Sequence, residues 1–481
     1  MATLRSRAAT GVRWMSISAG VVVGLQFIRL AVLANLLPIK DFGLVAMMMV
    51  VIGLASSFGD MGLSNAIIHR QNPTKDELSS LYWFDIATGF ALYGLIAAVT
   101  PVIVIFYREP RLTEMVLLAG LSFLIMPIGQ QFGSLLQKAL EFRTLALVEV
   151  FGAVANTTVA IITAVLGAGV YCFIWGLLSD SICKALIFGF IGWRRWRPRL
   201  HFRRQELAGY LSFGLYQMGE RFVNYFSSNV DYLVIGRYLG LEVLGIYMLA
   251  YRLVILPLTT INPIINRVAF PVLARKQEDD SSLRRGYLEM NKIIAFVMFP
   301  LLALMAATAP LFIPLVVGRK WLPAVLLVQI MALLGILKSL SNSSGSMFLA
   351  KGRADIGFKW NLLVIIVNAT AFFYVVRFGV YTLAWTYVGL SFIYFFAVMW
   401  ILKRMIGLKL SEFLKAISRP AIISFFMGAL VYIIYVTLDV GGALALAALV
   451  VLGASIYILL ALFFERRFLK DSLNLFFNRS G

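Results

Sequence analysis

Apolar runs of about 20 residues, separated by short polar stretches, recur along the whole chain. Each is long enough to cross a bilayer as a helix. Fourteen spans are predicted, near 14–36, 42–68, 79–107, 114–136, 145–168, 170–193, 207–238, 242–266, 287–317, 323–349, 360–377, 381–402, 419–438 and 442–464. The third, seventh and ninth exceed the hydrocarbon thickness and predict tilt, kinks or extension beyond it. Connections on one side are very short, "GAG" at 167–169, "GRKWLP" at 318–323 and "DVGG" at 439–442. Those on the other side are longer, reaching "RKQEDDSSLRRG" at 275–286. None has room for a soluble catalytic domain. The pattern predicts an all-α polytopic membrane protein.

Composition agrees. The 481-residue chain is 61% hydrophobic and 14% charged, with a mean hydropathy of +0.88, more apolar surface than a water-soluble fold of this size can hide. A net charge of +20 would suit nucleic acid in a soluble protein. Here the basic residues are dispersed among loops, with no domain to present a basic face, so no nucleic-acid partner is expected. Their distribution instead sets orientation. With the N-terminus inside, 30 of the 43 Lys and Arg residues fall on cytoplasmic segments, the densest block being "RRWRPRLHFRRQE" at 194–206. An even number of spans returns the C-terminus to the same side. The basic start, "MATLRSRAATGVRW", leads into a run too long for a cleaved signal peptide, so a retained first span is expected. Cys172 and Cys183 fall on one predicted helix about 16 Å apart, too far to bridge.

An offset of 202 lays Leu37 on Leu239, Phe42 on Leu244 and Gly43 on Gly245. It also places the first two spans over the seventh and eighth. Both copies begin on the same side, so the repeat is parallel, about an axis along the membrane normal. Two pseudo-symmetric six-helix lobes are predicted, 1–193 and 207–402, joined by the basic linker 194–206. Spans 13 and 14 and a cytoplasmic tail occupy 403–481. The stretch "NVDYLVIGRYLGLEVLGIY" (229–247) then reads as two helices meeting in a periplasmic turn at Leu239-Gly240, with Gly245 allowing close packing beyond it.

No Ser-His-Asp set, metal-ligand spacing or phosphate-cradling glycine loop is visible near the spans, and His69 and His201 fall in predicted loops. No catalytic residue, metal or cofactor is therefore expected. What stands out is charge inside the spans, which is costly in hydrocarbon and marks a cavity or a partner. Asp60, Asp85, Glu149 and Lys292 are expected near the cytoplasmic interface, solvated or snorkelling. Asp180 and Lys184, four apart with the acid first, suit a local ion pair. Near mid-depth lie Arg29, Glu220, Arg221, Asp231, Arg252 and Lys338. Glu220 and Arg221 point about 100° apart on a helix and do not cancel each other.

The basic excess suits an anionic ligand, since arginine engages phosphate bidentately and lysine acts as a point charge. Arg29, Arg221, Arg252 and Lys338 are the candidate holders of an anionic headgroup; the alternative is that they pack helices together. Asp231 and Glu220 are candidate gating or coupling residues. Arg29 and Asp231 are equivalent under the offset, which leaves two arrangements: an ion pair between the lobes, or separate partners within each lobe.

Four stretches carry a likeness: "NVDYLVIGRYLGLEVLGIYMLAYRL" (229–253), "FGDMGLSNAIIHR" (58–70), "FPVLARKQEDD" (270–280) and "LYWFDIATG" (81–89). On them the chain resembles the polysaccharide-transport branch of the multidrug/oligosaccharidyl-lipid/polysaccharide exporter superfamily, in particular the exopolysaccharide and colanic-acid type repeat-unit flippases, over about spans one to twelve. The resemblance implies a two-lobed bundle rocking between inward- and outward-facing states in a bacterial cytoplasmic (inner) membrane. It implies a substrate too, an undecaprenyl-diphosphate-linked oligosaccharide moved from the cytoplasmic to the periplasmic leaflet for exopolysaccharide or lipopolysaccharide assembly.

On that reading the diphosphate explains a basic cavity, and the sugars explain polar neighbours such as Asn224, Asn229, Asn342 and Ser343. Arg29 and Arg252 fall where relatives place cavity arginines, while Arg221 and Lys338 rest on depth and charge. Spans 13 and 14 are a candidate groove for the polyprenyl tail by apolar character alone. Na⁺, H⁺ or the membrane potential would drive the step, and a polysaccharide polymerase or export complex is a candidate partner. Two rivals remain. A multidrug or cation antiporter of the same superfamily would want an acidic cavity, for which Glu220 and Asp231 speak. A membrane polymerase or ligase would need a sizeable periplasmic loop, which the sequence lacks.

Overall fold

In hydrocarbon every backbone N–H and C=O must be bonded within its own segment, so long apolar runs fold as helices. The computed structural model describes residues 4–59, 67, 73–274, 279–438 and 441–465. Among the described residues there is no strand. The α-helices are α1 Leu4–Leu36, α2 Ile39–Gly59, α3 Lys75–Tyr107, α4 Leu112–Gly120, α5 Ser122–Lys138, α6 Phe142–Val165, α7 Tyr171–Trp193, α8 Arg204–Tyr238, α9 Gly240–Ala274, α10 Asp280–Phe312, α11 Ala324–Ala350, α12 Ala354–Val375, α13 Val380–Ile406, α14 Leu410–Leu438 and α15 Ala443–Phe464. With α4 and α5 taken as one span broken at Leu121, 13 spans in the described residues are long and apolar enough to cross a membrane. The remaining helix, α8, is 35 residues long and carries Glu220, Arg221, Asp231 and Arg237, which dilute its hydropathy. This is a multi-pass, all-α membrane protein.

Contacts group the chain into two compact units, Met1–Met248 with Asn361–Arg377, and Leu249–Trp360 with Phe378–Gly481. That grouping is by contact, whereas the division of the sequence at 194–206 is by repeat. In the first unit α6 packs along α1 and α7, and α2 along α8. The start of α9 crosses α2 at Gly43 and Gly245. Leu239 alone separates α8 from α9. Gly240 adopts φ +82° there, a left-handed conformation that glycine takes without a Cβ penalty, while Leu239 N donates to Ile235 O at 2.8 Å.

The arginine-rich linker is docked rather than loose. Trp83 Nε1 donates to Arg199 O at 2.8 Å, and the backbone N–H groups of Arg199 and Arg203 donate to the Ser79 and Ser80 hydroxyls at 3.2 and 3.0 Å. Glu206 Oε2 accepts from Ser80 Oγ at 2.6 Å, and Glu206 Oε1 lies 3.0 Å from His201 Nε2. These bonds hold the Glu206 carboxyl below the usual carboxylate range, the Ser80 bond first and the His201 bond second. Glu141 pairs with Arg195 at the other end of the linker, which lowers its pKa in the same way.

In the second unit α10 packs against α11, α14 and α15. Lys292, about 18 Å along α10, donates to Glu465 Oε2 at 2.7 Å just beyond the end of α15, while Arg419 reaches the other oxygen of the same buried carboxylate at 3.2 Å. One expectation of shallow charge is corrected. Asp85, about 15 Å along α3 from Lys75, is buried in the protein rather than solvated. Asp60 and His69 lie outside the described residues.

Candidate functional site

Lys338 sits in the second half of α11, half-buried. Its ammonium donates to Tyr251 Oη of α9 at 2.9 Å and to Tyr387 Oη of α13 at 2.6 Å. The nitrogen also lies 5.1 and 4.5 Å from the centroids of the same two rings, within cation–π range. Among the described residues no carboxylate lies within ion-pair distance of it. An ammonium has three N–H donors, and two are taken. The third is available to an acceptor, and among the described residues the ammonium has no counter-ion. In a membrane-spanning bundle, that is the environment an anion would complete.

Arg252 adjoins Tyr251 on α9 and is half-buried in the same unit. The two tyrosines escaped the sequence reading because they lie 87 and 49 residues from Lys338, on helices that only folding brings alongside α11. Ser343, expected beside sugars, is buried against α10: its hydroxyl lies within hydrogen-bond distance of Asn291 Oδ1, at 2.9 Å, and of Leu340 O, at 2.7 Å. The side chain of Asn342 lies outside the described residues.

A groove of about 560 Å³ runs between α10, α11 and α14. Alanine and glycine, among them Ala303, Ala306, Ala332 and Gly428, open it, and Phe299 and Tyr432 close its sides. Gln329, one of its few polar lining groups, is tied to Ala306 O at 3.3 Å. Ile336 lines the groove and Lys338 follows two residues later, about 200° around α11. Groove and ammonium therefore face opposite sides of that helix.

The remaining candidates belong to the first unit. Arg29 on α1 donates to Asn156 Oδ1 on α6. Next to it, Lys184 on α7 forms ion pairs with Glu149 at 2.9 Å and Asp180 at 3.2 Å, and Arg29 acts electrostatically on Asp180 as well. Glycines make room for this network. A Cβ on Gly176 would come within 2.7 Å of Asn156 Oδ1, and one on Gly152 within 2.3 Å of Asp180 Oδ1. The local Asp180–Lys184 pair expected from spacing is present, with Glu149 as an added partner.

Asp231 on α8 is buried and accepts from Tyr247 Oη on α9 at 2.6 Å and from the Tyr232 backbone N–H at 3.0 Å. Arg29 and Asp231 thus each have one partner inside the predicted lobe that holds them, Asn156 and Tyr247. Arg221 is half-buried on α8, and the side chain of Glu220 lies outside the described residues. Arg29, Arg221 and Asp231 fall in the first unit, Arg252 and Lys338 in the second.

A family profile described as polysaccharide biosynthesis protein matches residues 32–326. The chain is 35% identical over 433 residues, 90% of each sequence, to the teichuronic acid biosynthesis protein TuaB of Bacillus subtilis. It is 33% identical over 360 residues to the lipopolysaccharide biosynthesis protein WzxC of Escherichia coli, covering 75% of this chain and 73% of that one. Among solved structures, the lipid II flippase MurJ in an inward closed conformation superposes with a TM-score of 0.76 over 95% of this chain and 99% of its own. At 16% identity that likeness is one of fold.

Proposed function

Because the chain belongs to the polysaccharide biosynthesis protein family, among the polysaccharide flippases of the multidrug/oligosaccharidyl-lipid/polysaccharide exporter superfamily, we propose that it moves an undecaprenyl-diphosphate-linked oligosaccharide across the cytoplasmic membrane by alternating access. The protein is a transporter rather than an enzyme. The observation that carries the reading is the Lys338 ammonium, held by two tyrosine hydroxyls with no carboxylate beside it among the described residues. A diphosphate would supply the missing counter-charge, and Arg252, Arg29 and Arg221 would add bidentate contacts during the cycle. The apolar groove on the far side of α11 fits the hydrocarbon tail, so tail and headgroup would be held on opposite faces of one helix. Asp231 and Glu220 are the residues through which Na⁺ or H⁺ would couple to the movement.

The test is a gene deletion followed by lipid extraction. The reading expects a diphosphate-linked oligosaccharide to accumulate on the cytoplasmic leaflet while surface polysaccharide is lost. Wild-type protein should reverse both effects, and Lys338→Ala, expressed at the same level, should reverse neither. Normal lipid-linked sugars in cells that retain cationic dyes would overturn it in favour of an antiporter.

A further inference from the structure

A second cavity, of about 640 Å³, lies at the far end of α11, between the turn into α12 and the last two turns of α13. Its charged lining is Lys351 and Arg353 from the turn and Arg404 from α13. Lys351 pairs with Asp280, and Arg353 pairs with Asp355 through two bonds of 2.9 and 3.0 Å. Arg404 differs. Its guanidinium lies 3.8 Å from the centroid of the Trp400 ring, and among the described residues no carboxylate comes within ion-pair distance of it. Of the three cations in the lining, Arg404 is thus the one with no ion pair among the described residues.

The other half of the lining is apolar, with Trp400, Ile401 and Met405 as its main groups. Trp400 is 54% exposed, and exposed Phe392 and Phe396 continue from it along α13 toward the membrane interior. The cavity thus joins a basic rim to a lipid-facing aromatic strip, and an interfacial tryptophan marks the boundary. On the topology predicted from the sequence, this end is expected at the cytoplasmic surface.

We propose that this cavity binds the headgroup of an anionic phospholipid. The phosphodiester would meet Arg404, its single negative charge matching that guanidinium, and the acyl chains would run down the strip from Trp400. A zwitterionic headgroup would bring its own cation against that rim, and free phosphate would leave the apolar half empty. Basic pockets between membrane helices at this level take anionic headgroups for these reasons. The site is separate from Lys338 and does not depend on the transport reading.

The experiment uses the full-length protein in detergent, titrated with equimolar phosphatidylglycerol and phosphatidylcholine and read by native mass spectrometry. Wild-type protein should retain phosphatidylglycerol over phosphatidylcholine. Arg404→Gln should cut that retention about fivefold and leave phosphatidylcholine unchanged. Arg404→Lys should keep most of it, and Arg319→Gln, a basic residue outside the cavity, all of it. Glycerol 3-phosphate at the same concentration should not displace the lipid. Equal retention in wild type and Arg404→Gln would overturn the proposal, and so would displacement by glycerol 3-phosphate, which would mark a soluble-phosphate site.

Discussion

Gly43 and Gly245 each press against the other's helix. A Cβ on Gly43 would come 2.0 Å from the Leu241 carbonyl oxygen, and one on Gly245 would come 2.3 Å from that of Ile39. Ile39 and Leu241 are themselves related by the offset that relates the two glycines. The contact between α2 and α9 is therefore made twice, each half the image of the other, as in an interface about a twofold axis. Backbone meets backbone at this crossing, so neither side has a flexible side chain that can yield.

Gly43→Ala and Gly245→Ala should consequently destabilise the protein by similar amounts. Overpacking costs about 1–3 kcal/mol, more where the obstacle is rigid backbone. Thermal melting of each variant in detergent measures this. If one glycine tolerates alanine while the other does not, the two halves of the contact are not equivalent.

The correspondence of Gly43 with Gly245 was legible because its signal, glycine and apolar residues at a fixed offset, is written along the chain. Span number and the Asp180–Lys184 pair were legible for the same reason, since both depend on local spacing. Partners contributed by distant helices were not. Tyr251 and Tyr387 read as ordinary membrane aromatics until folding places them on Lys338, and Asn156, being neutral, gave no sign that it would receive Arg29. Glu465 heads a basic segment, "ERR", that reads as a solvated end, yet it is buried between Lys292 and Arg419.

The linker dock has a pH signature. Hydrogen bonds from Ser80 and His201 favour the charged form of Glu206 and lower its folded-state pKa. The stabilisation is therefore complete above the ordinary glutamate value and is lost as pH falls through the lowered folded value. Glu206→Gln should lower Tm by about 1–2 °C at neutral pH. The gap from wild type should narrow below about pH 4. A gap that stays constant down to pH 3 would show that the carboxylate charge contributes nothing there.

Tyr247→Phe removes the hydroxyl that Asp231 accepts from, while keeping the ring that packs edge-on against Tyr232 at 5.7 Å. A buried carboxylate that loses a donor costs about 1–3 kcal/mol. Asp231→Asn should recover part of that loss in the double variant, since a neutral amide needs the donor less. Additive Tm changes in the two single variants and the double would mean that the hydroxyl does not serve the charge.

Two lysines in the bundle make a controlled comparison. Lys184 is shared by Glu149 and Asp180, so Lys184→Met leaves both carboxylates without their ammonium partner. Breaking a fully buried pair costs about 3–5 kcal/mol. Lys184 is 28% exposed and Glu149 46%, which reduces the expected loss to about 1–3 kcal/mol. Adding Glu149→Gln and Asp180→Asn should restore most of the lost Tm. Lys338 strands no carboxylate among the described residues when removed, so Lys338→Met should leave Tm unchanged or raise it, while transport falls at least about tenfold, the effect of losing roughly 1.4 kcal/mol of charge-assisted binding. Tyr251→Phe and Tyr387→Phe, which keep the rings and lose the hydroxyls, should fall between. If instead Lys338→Met melts early and Lys184→Met does not, the structural and substrate-facing lysines have been assigned the wrong way round.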